Sequence, residues 1–225
     1  MERDPIPFWE RPEVVEKFAG REPDHRLAEW LSGRDDREGL RVLDIGCAGG
    51  RNSEYLARSG CDLYALDSSE PMVRRTRFRV AGVLGEREAA RRVRTGRMEL
   101  LGGFRDRSFD LVVALGVFHS AADRATYERA LSESARVLDH EGHLLIANFA
   151  PGTELEGTVL EPVADEPDVY EGHAAGRHLL LGADALDAAL GRHGLSPVVP
   201  TQVVEATGEA SRRITVNGLY RKNRK

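Results

Sequence analysis

Short runs of aliphatic and β-branched residues alternate along this chain with longer stretches in which apolar positions recur every three or four residues. Runs of the first kind predict strands and stretches of the second kind predict helices; their alternation predicts a mostly parallel sheet with crossover helices. The pattern gives seven strands. They fall at residues 41–45, 61–67, 98–101, 109–115, 144–149, 196–205 and 212–220. The last two, joined through Thr207, Gly208 and Glu209, read as an antiparallel pair. Helices are expected over 51–59 with Gly60 ending the first, from Ser68 or Ser69 with Glu70 and Pro71 in the first turn, from Asp123 to a stop at Gly142, and over 182–193 with Gly194 after it. Helical patterning at 12–18 and 23–31 makes residues 1–38 an N-terminal helical cap on a domain spanning 39–225. Residues 151–181, rich in Gly and Pro, read as an irregular insertion on the acceptor side.

The segment Val42-Leu43-Asp44-Ile45-Gly46-Cys47-Ala48-Gly49-Gly50-Arg51-Asn52 carries the chemistry. A strand ends there and the chain must turn sharply into a helix; glycines permit the turn and let a ligand approach the main chain. Open α/β sheets bind ligands outside the carboxyl ends of their strands. The next strand ends in Asp67, which can accept hydrogen bonds from both hydroxyls of a ribose. Gly46, Gly49 and Gly50 do not have the spacing of a dinucleotide loop, and no lysine follows as a phosphate-binding loop requires. Asp44 would repel a pyrophosphate and suits a cationic ligand, an ammonium or a sulfonium.

The segment resembles motif I of the class I S-adenosylmethionine-dependent methyltransferases. Leu66-Asp67 with Ser68-Ser69-Glu70-Pro71-Met72 is similar to that family's ribose-binding strand end. Residues 104–115, and Arg136-Val137-Leu138 leading to Gly142-His143-Leu144-Leu145, resemble its steps into the fourth and fifth strands. The match spans roughly residues 40–150. It implies a Rossmann-like seven-stranded sheet with an antiparallel last strand, S-adenosyl-L-methionine as cofactor, and methyl transfer to a small-molecule O, N, S or C nucleophile. Two departures stand out. His143 occupies a position usually held by glycine or another small residue, and Met98, with Glu99 beside it, stands where an acid commonly meets the adenine. The alternatives are a non-catalytic module that binds the same cofactor, and a nucleotide-dependent oxidoreductase.

The resemblance implies a cofactor site of Asp44, Gly46, Cys47, Ala48, Gly50, Asn52, Asp67, Ser68, Met72, Met98, Glu99 and Leu115. His119, just past the fourth strand, is the leading candidate general base, and Tyr170-Glu171-Gly172-His173 with Arg177 and His178 is the other candidate region; Trp9, Phe118, Tyr170 and His173 are candidates for the acceptor side. Methyl transfer needs alignment and water exclusion more than it needs a metal, and no metal-ligand spacing is found.

Composition narrows the picture further. The net charge of -5 argues against a general nucleic-acid binder, and the nine arginines between Arg74 and Arg97, interleaved with Glu86 and Glu88, read as an ion-paired helix face. Two cysteines, Cys47 and Cys61, fit a reducing compartment; no apolar stretch is long enough to span a membrane and residues 1–8 lack an apolar leader core, so the expected location is cytoplasmic. The pattern carries no signature of a particular oligomeric state.

Overall fold

The computed structural model describes residues 6–208 and 211–224. The chain divides into two compact units between Arg97 and Met98.

In the first unit, helices α1 (Pro12–Ala19) and α2 (His25–Ser32) precede the first strand. Pro12 opens α1, where its missing N–H costs nothing, and Asp24 caps α2 by accepting from the backbone N–H of Arg26 at 3.1 Å. Strands β1 (Arg41–Ile45), β2 (Asp62–Asp67) and β3 (Val93–Thr95) pair in parallel, β2 in the middle. Helix α3 (Arg51–Arg58) crosses from β1 to β2; α4 (Glu70–Leu84) and α5 (Glu86–Arg92) cross from β2 to β3. Gly60, at φ 83°, follows α3 as expected, and the Ser69 hydroxyl caps α4 by accepting from the Met72 N–H.

The third strand corrects the sequence reading. It lies at 93–95, hidden in the arginine-rich run, and not at 98–101; Met98 and Glu99 fall in a turn. The physical cause is Val93, a β-branched residue wholly buried beside its parallel neighbour β2, which outweighs the charged residues around it.

In the second unit, β4 (Phe109–Leu115) runs parallel to β5 (Leu138–Phe149), and α6 (Arg124–Val137), capped by Asp123 through the Thr126 N–H at 2.7 Å, connects them. Gly142 does not end α6: the helix stops at Val137 and the chain is already extended at Leu138. Five short strands follow, β6 (Glu154–Leu155), β7 (Thr158–Val159), β8 (Glu161–Pro162), β9 (Val169–His173) and β10 (Gly176–Leu179). They form a two-stranded and a three-stranded antiparallel sheet, so the segment expected to be irregular is ordered around a small core of Leu155, Leu160 and Leu180. Helix α7 (Ala183–Arg192) leads to β11 (Leu195–Pro197), β12 (Gln202–Gly208) and β13 (Ser211–Lys222). The expected strand 196–205 is thus two strands, both antiparallel to β13, which is itself antiparallel to β5. Pro197 ends β11 and Pro200 lies in the break, and neither can donate to a ladder. Of the turn between the last two strands, Glu209 lies outside the described residues.

Among the described residues no helix is long and apolar enough to cross a membrane.

Candidate functional site

The glycine loop of the first unit is built from β1, β2 and the start of α3. Backbone N–H groups of Gly46 and Cys47 donate to the Leu66 carbonyl at 2.8 and 3.0 Å, tying the loop to the end of β2. Gly50, at φ 85°, is left-handed, and a Cβ there would come within 2.8 Å of Thr76 Cα; the glycine lets α4 close onto the loop. Ala48, a non-glycine residue at φ 48°, holds the same unusual backbone, and its carbonyl accepts from the Thr76 hydroxyl at 2.7 Å.

Two carboxylates sit at this loop. Asp44 is 2% exposed and accepts from the Ser53 hydroxyl at 2.6 Å. Burial raises its pKa to about 6; Ser53 and Arg51 oppose the rise and the charge of Asp67 adds to it. Asp67 accepts from the Ala48 N–H with Oδ2 and from the Ser69 N–H with Oδ1, both at 2.9 Å, and burial raises its pKa too. Each Asp67 oxygen retains a lone pair beyond these bonds, enough to receive a hydroxyl from a ligand. Cys47 is buried, and burial pushes its thiol well up, so it serves as packing and not as a nucleophile.

The structure brings Trp9, Met72 and Ala48 together. Met72 is buried with Val14 and Val15, and Phe8, Trp9, Phe18 and Ala48 pack on that cluster. Trp9 lies edge-on to Phe8 and Phe18, with centroids 4.9 and 5.4 Å apart, and its carbonyl accepts from the Ser69 hydroxyl at 2.8 Å. The N-terminal helices therefore pack beside the glycine loop. Asn52 has a second assignment: its side-chain oxygen accepts from the Asp24 N–H at 2.9 Å and so anchors α2. Ser68 is exposed beside Asp67.

The second unit holds the other expected residues. Leu115 ends β4, half-buried and paired with Ala147. The next turn, Phe118–Ser120, carries Phe118 and His119. Phe118 is fully buried against Tyr127, with centroids 6.4 Å apart, and so packs in the core instead of lining an open surface. His119 is 2% exposed; its Nδ1 accepts from the Phe149 N–H at 3.3 Å, and its ring lies 4.3 Å from the Phe149 ring. Burial, with His178 as a like neighbour, lowers its pKa to about 3. The main chain thus holds its unprotonated nitrogen, an arrangement suited to donating from Nε2 and not to taking a proton. Tyr170 packs on the Leu155–Leu160–Leu180 cluster. His173 accepts from the Ala175 N–H at 3.1 Å and approaches Glu156 at 3.7 Å. Glu99 is buried; Met98 is half-buried in the same turn. The sequence pattern placed His178 in the second candidate region for a base, with Tyr170, Glu171, Gly172, His173 and Arg177, and gave no sign of Asn148. His178 is 1% exposed on β10, and Asn148 accepts from the His119 N–H at 3.3 Å and donates to the Tyr127 hydroxyl at 3.4 Å. Nothing in a linear pattern marks a histidine on a two-sided short strand as buried.

Many of the arginines of α4, α5 and β3 are matched to carboxylates: Arg75 to Glu16, Arg79 to Glu54, Arg91 to Glu88, and Arg92 to Glu88 and Asp62. Among the described residues no three His, Cys, Asp or Glu side chains are placed to hold a metal ion.

Comparison with known proteins bears on the loop. Residues 43–146 match the family model described as a methyltransferase domain. That segment of the chain is therefore similar to a methyltransferase domain. A ubiquinone biosynthesis O-methyltransferase from Xanthomonas oryzae pv. oryzae is 32% identical over 121 residues, 54% of this chain and 48% of that protein. The chain spans about half the length of the curated relatives it matches. Two solved structures share the fold. An S-adenosylmethionine-dependent methyltransferase from Methanosarcina mazei has a TM-score of 0.63 at 20% identity, covering 84% of this chain and 94% of its own. The 1,6-didemethyltoxoflavin-N1-methyltransferase of Burkholderia thailandensis, with bound 1,6-didemethyltoxoflavin and S-adenosylhomocysteine, has a TM-score of 0.64 at 22% identity, covering 95% and 80%.

Proposed function

We propose that the protein transfers the methyl group of S-adenosylmethionine to a hydroxyl of a small ring-bearing acceptor. The observation that carries this reading is the pair of carboxylates at the glycine loop, Asp44 buried at the end of β1 and Asp67 half-buried at the end of β2. The free protein disfavours the charge on Asp44 and Asp67, and a ligand bearing an ammonium, a sulfonium and two ribose hydroxyls would reverse that preference at once. Asp44 would face the cationic amino-acid part and Asp67 the ribose; Met72, with Trp9 and Ala48 around it, would supply the apolar packing. Gly46, Cys47, Ala48 and Gly50 would present backbone, Ser68 a hydroxyl beside the ribose, and Leu115 an apolar strand end. Asn52 would act indirectly, by fixing α2. Met98 and Glu99 keep their proposed place near the adenine as turn residues.

When bound, the cofactor supplies an electrophilic methyl carbon. What remains for the protein is to hold the acceptor oxygen in line with the C–S bond and keep water out. The hydroxyl acceptor class rests on the O-methyltransferase name of the curated relatives; the didemethyltoxoflavin enzyme shows that a nitrogen acceptor also occurs on this fold. Phe118 and Tyr170 would shape the acceptor side from behind, and His119 and His173 would present polar edges to it. Residues 1–38 would serve as the cap and 151–181 as the acceptor-side insertion of a single methyltransferase domain. Both cysteines are free and buried, which supports a cytoplasmic setting.

The test is direct. Purified protein with methyl-labelled S-adenosylmethionine and a panel of catechols should give labelled ethers and S-adenosylhomocysteine in equal amounts. Label carried only by nitrogen or carbon acceptors would refute the hydroxyl assignment.

A further inference from the structure

A base that takes a proton from a hydroxyl must have an unprotonated nitrogen whose lone pair is not already engaged. Three histidines of the second unit stand in a row: His119 and His178 with ring centroids 5.8 Å apart, His178 and His173 with centroids 6.1 Å apart. The two outer rings fail the requirement. His119 Nδ1 is taken by the Phe149 N–H and His173 Nδ1 by the Ala175 N–H. A nitrogen that accepts is the unprotonated one, so each of these rings keeps its proton on Nε2 and spends its lone pair on the main chain.

The middle ring differs. His178 is 1% exposed, yet neither of its ring nitrogens has a well-formed hydrogen bond among the described residues; its one main-chain contact is with His119, which leaves the other nitrogen unengaged. Buried polar groups are almost always bonded, and one that is not calls for a partner that arrives later. Strand β10 packs this residue against the turn that follows β4, and the carboxyl ends of strands are where open α/β sheets receive their ligands. Several charged groups of residues 151–181 are matched: Asp168 with Arg124 of α6, Glu166 and Glu171 with Arg177, and Glu156 near His173. Burial and the neighbouring His173 lower the His178 pKa to about 4, against a smaller opposing pull from the His119 main chain, so the ring is neutral at physiological pH.

We propose that His178 is the general base of the reaction, engaging the acceptor's hydroxyl through its unoccupied ring nitrogen. This rests on the hydroxyl-acceptor reading given above. In the step, a lone pair of the acceptor oxygen forms the bond to the methyl carbon. The C–S bond breaks with its electrons remaining on sulfur. The hydroxyl proton passes to His178, giving an imidazolium that later releases it to water.

The experiment compares wild type with His178→Gln at pH 8 on two acceptors, catechol, whose hydroxyls are largely protonated there, and 4-nitrocatechol, which is largely ionised. General-base catalysis contributes on the order of 10²-fold or more. The variant should lose about that factor in kcat on catechol and less than about tenfold on 4-nitrocatechol, with unchanged affinity for S-adenosylhomocysteine showing that it is folded. Equal losses on the two acceptors, or a full rate on catechol, would overturn the assignment. If wild type methylates neither, the hydroxyl-acceptor reading has failed, and nitrogen-15 histidine spectra of the S-adenosylhomocysteine complex decide the ring separately. An unprotonated, unbonded nitrogen on His178 supports the proposal; two bonded nitrogens contradict it.

Discussion

Asp44 is a carboxylate placed where the free protein resists its charge. Its pKa rises from 3.8 to about 6, so the folded chain binds more protons than the unfolded chain between those values. Stability therefore falls as pH rises through that window, by up to about 3 kcal/mol from this group. Asp44→Asn should raise the melting temperature at pH 7 and leave it nearly unchanged at pH 4, in thermal scans without ligand. Cofactor binding should show the reverse dependence, because a cationic ligand favours the ionised form. Affinity for S-adenosylhomocysteine should weaken by up to about tenfold from pH 7 to pH 5, with protons released on binding near pH 6. Affinity that does not change over this range would remove Asp44 from the site. The buried histidines work in the opposite direction. His119 and His178, lowered to about 3 and about 4, bind protons more readily when the chain is unfolded. Their contribution is intact above about pH 6.5 and is lost as pH falls toward 4. His119→Ala should also cost about 1–3 kcal/mol at pH 7, since it strands the Phe149 N–H.

The helices and strands repeat the sequence pattern where it was strong and depart from it where burial or proline intervened. The segment from β1 through α3, β2 and the Ser69 cap was legible because strand, glycine turn and cap signals coincide within a few residues. Strand β3 was not, because three residues cannot show a period and two of them, Arg94 and Thr95, are exposed. The small sheets at 154–179 were hidden by their two-residue strands. The site was legible on the same terms. The acids Asp44 and Asp67 and Trp9 of the candidate site were visible in sequence; what separates His119 from His178 is the Phe149 N–H on Nδ1 of His119, which no linear pattern exposes. Packing of α1 on the loop yields a further prediction. A Cβ on Gly49 would lie 2.5 Å from Ala19 Cα, so Gly49→Ala must push α1 away. It should destabilise the protein by about 1–3 kcal/mol and weaken cofactor binding, measured by chemical denaturation and calorimetry on the same samples.

The chain as a whole carries a net charge of -5, and many arginines of its most basic stretch are spent on Glu16, Glu54, Asp62 and Glu88. Such pairing leaves little positive field for a phosphate backbone, so duplex DNA or RNA at physiological salt should produce no change in anisotropy at micromolar protein. A small-molecule acceptor, as proposed, fits that charge distribution, and the proposed donor is the point on which the acceptor reading depends. Calorimetric titration of the protein with S-adenosylhomocysteine, alongside the Asp67→Ala variant and with NAD as control, tests it most directly. The account predicts micromolar binding of S-adenosylhomocysteine to wild type, at least tenfold weaker binding to the variant because two ribose hydroxyls lose a charged acceptor, and no heat with NAD. Binding of NAD, or equal affinity of the folded variant and wild type, would contradict it.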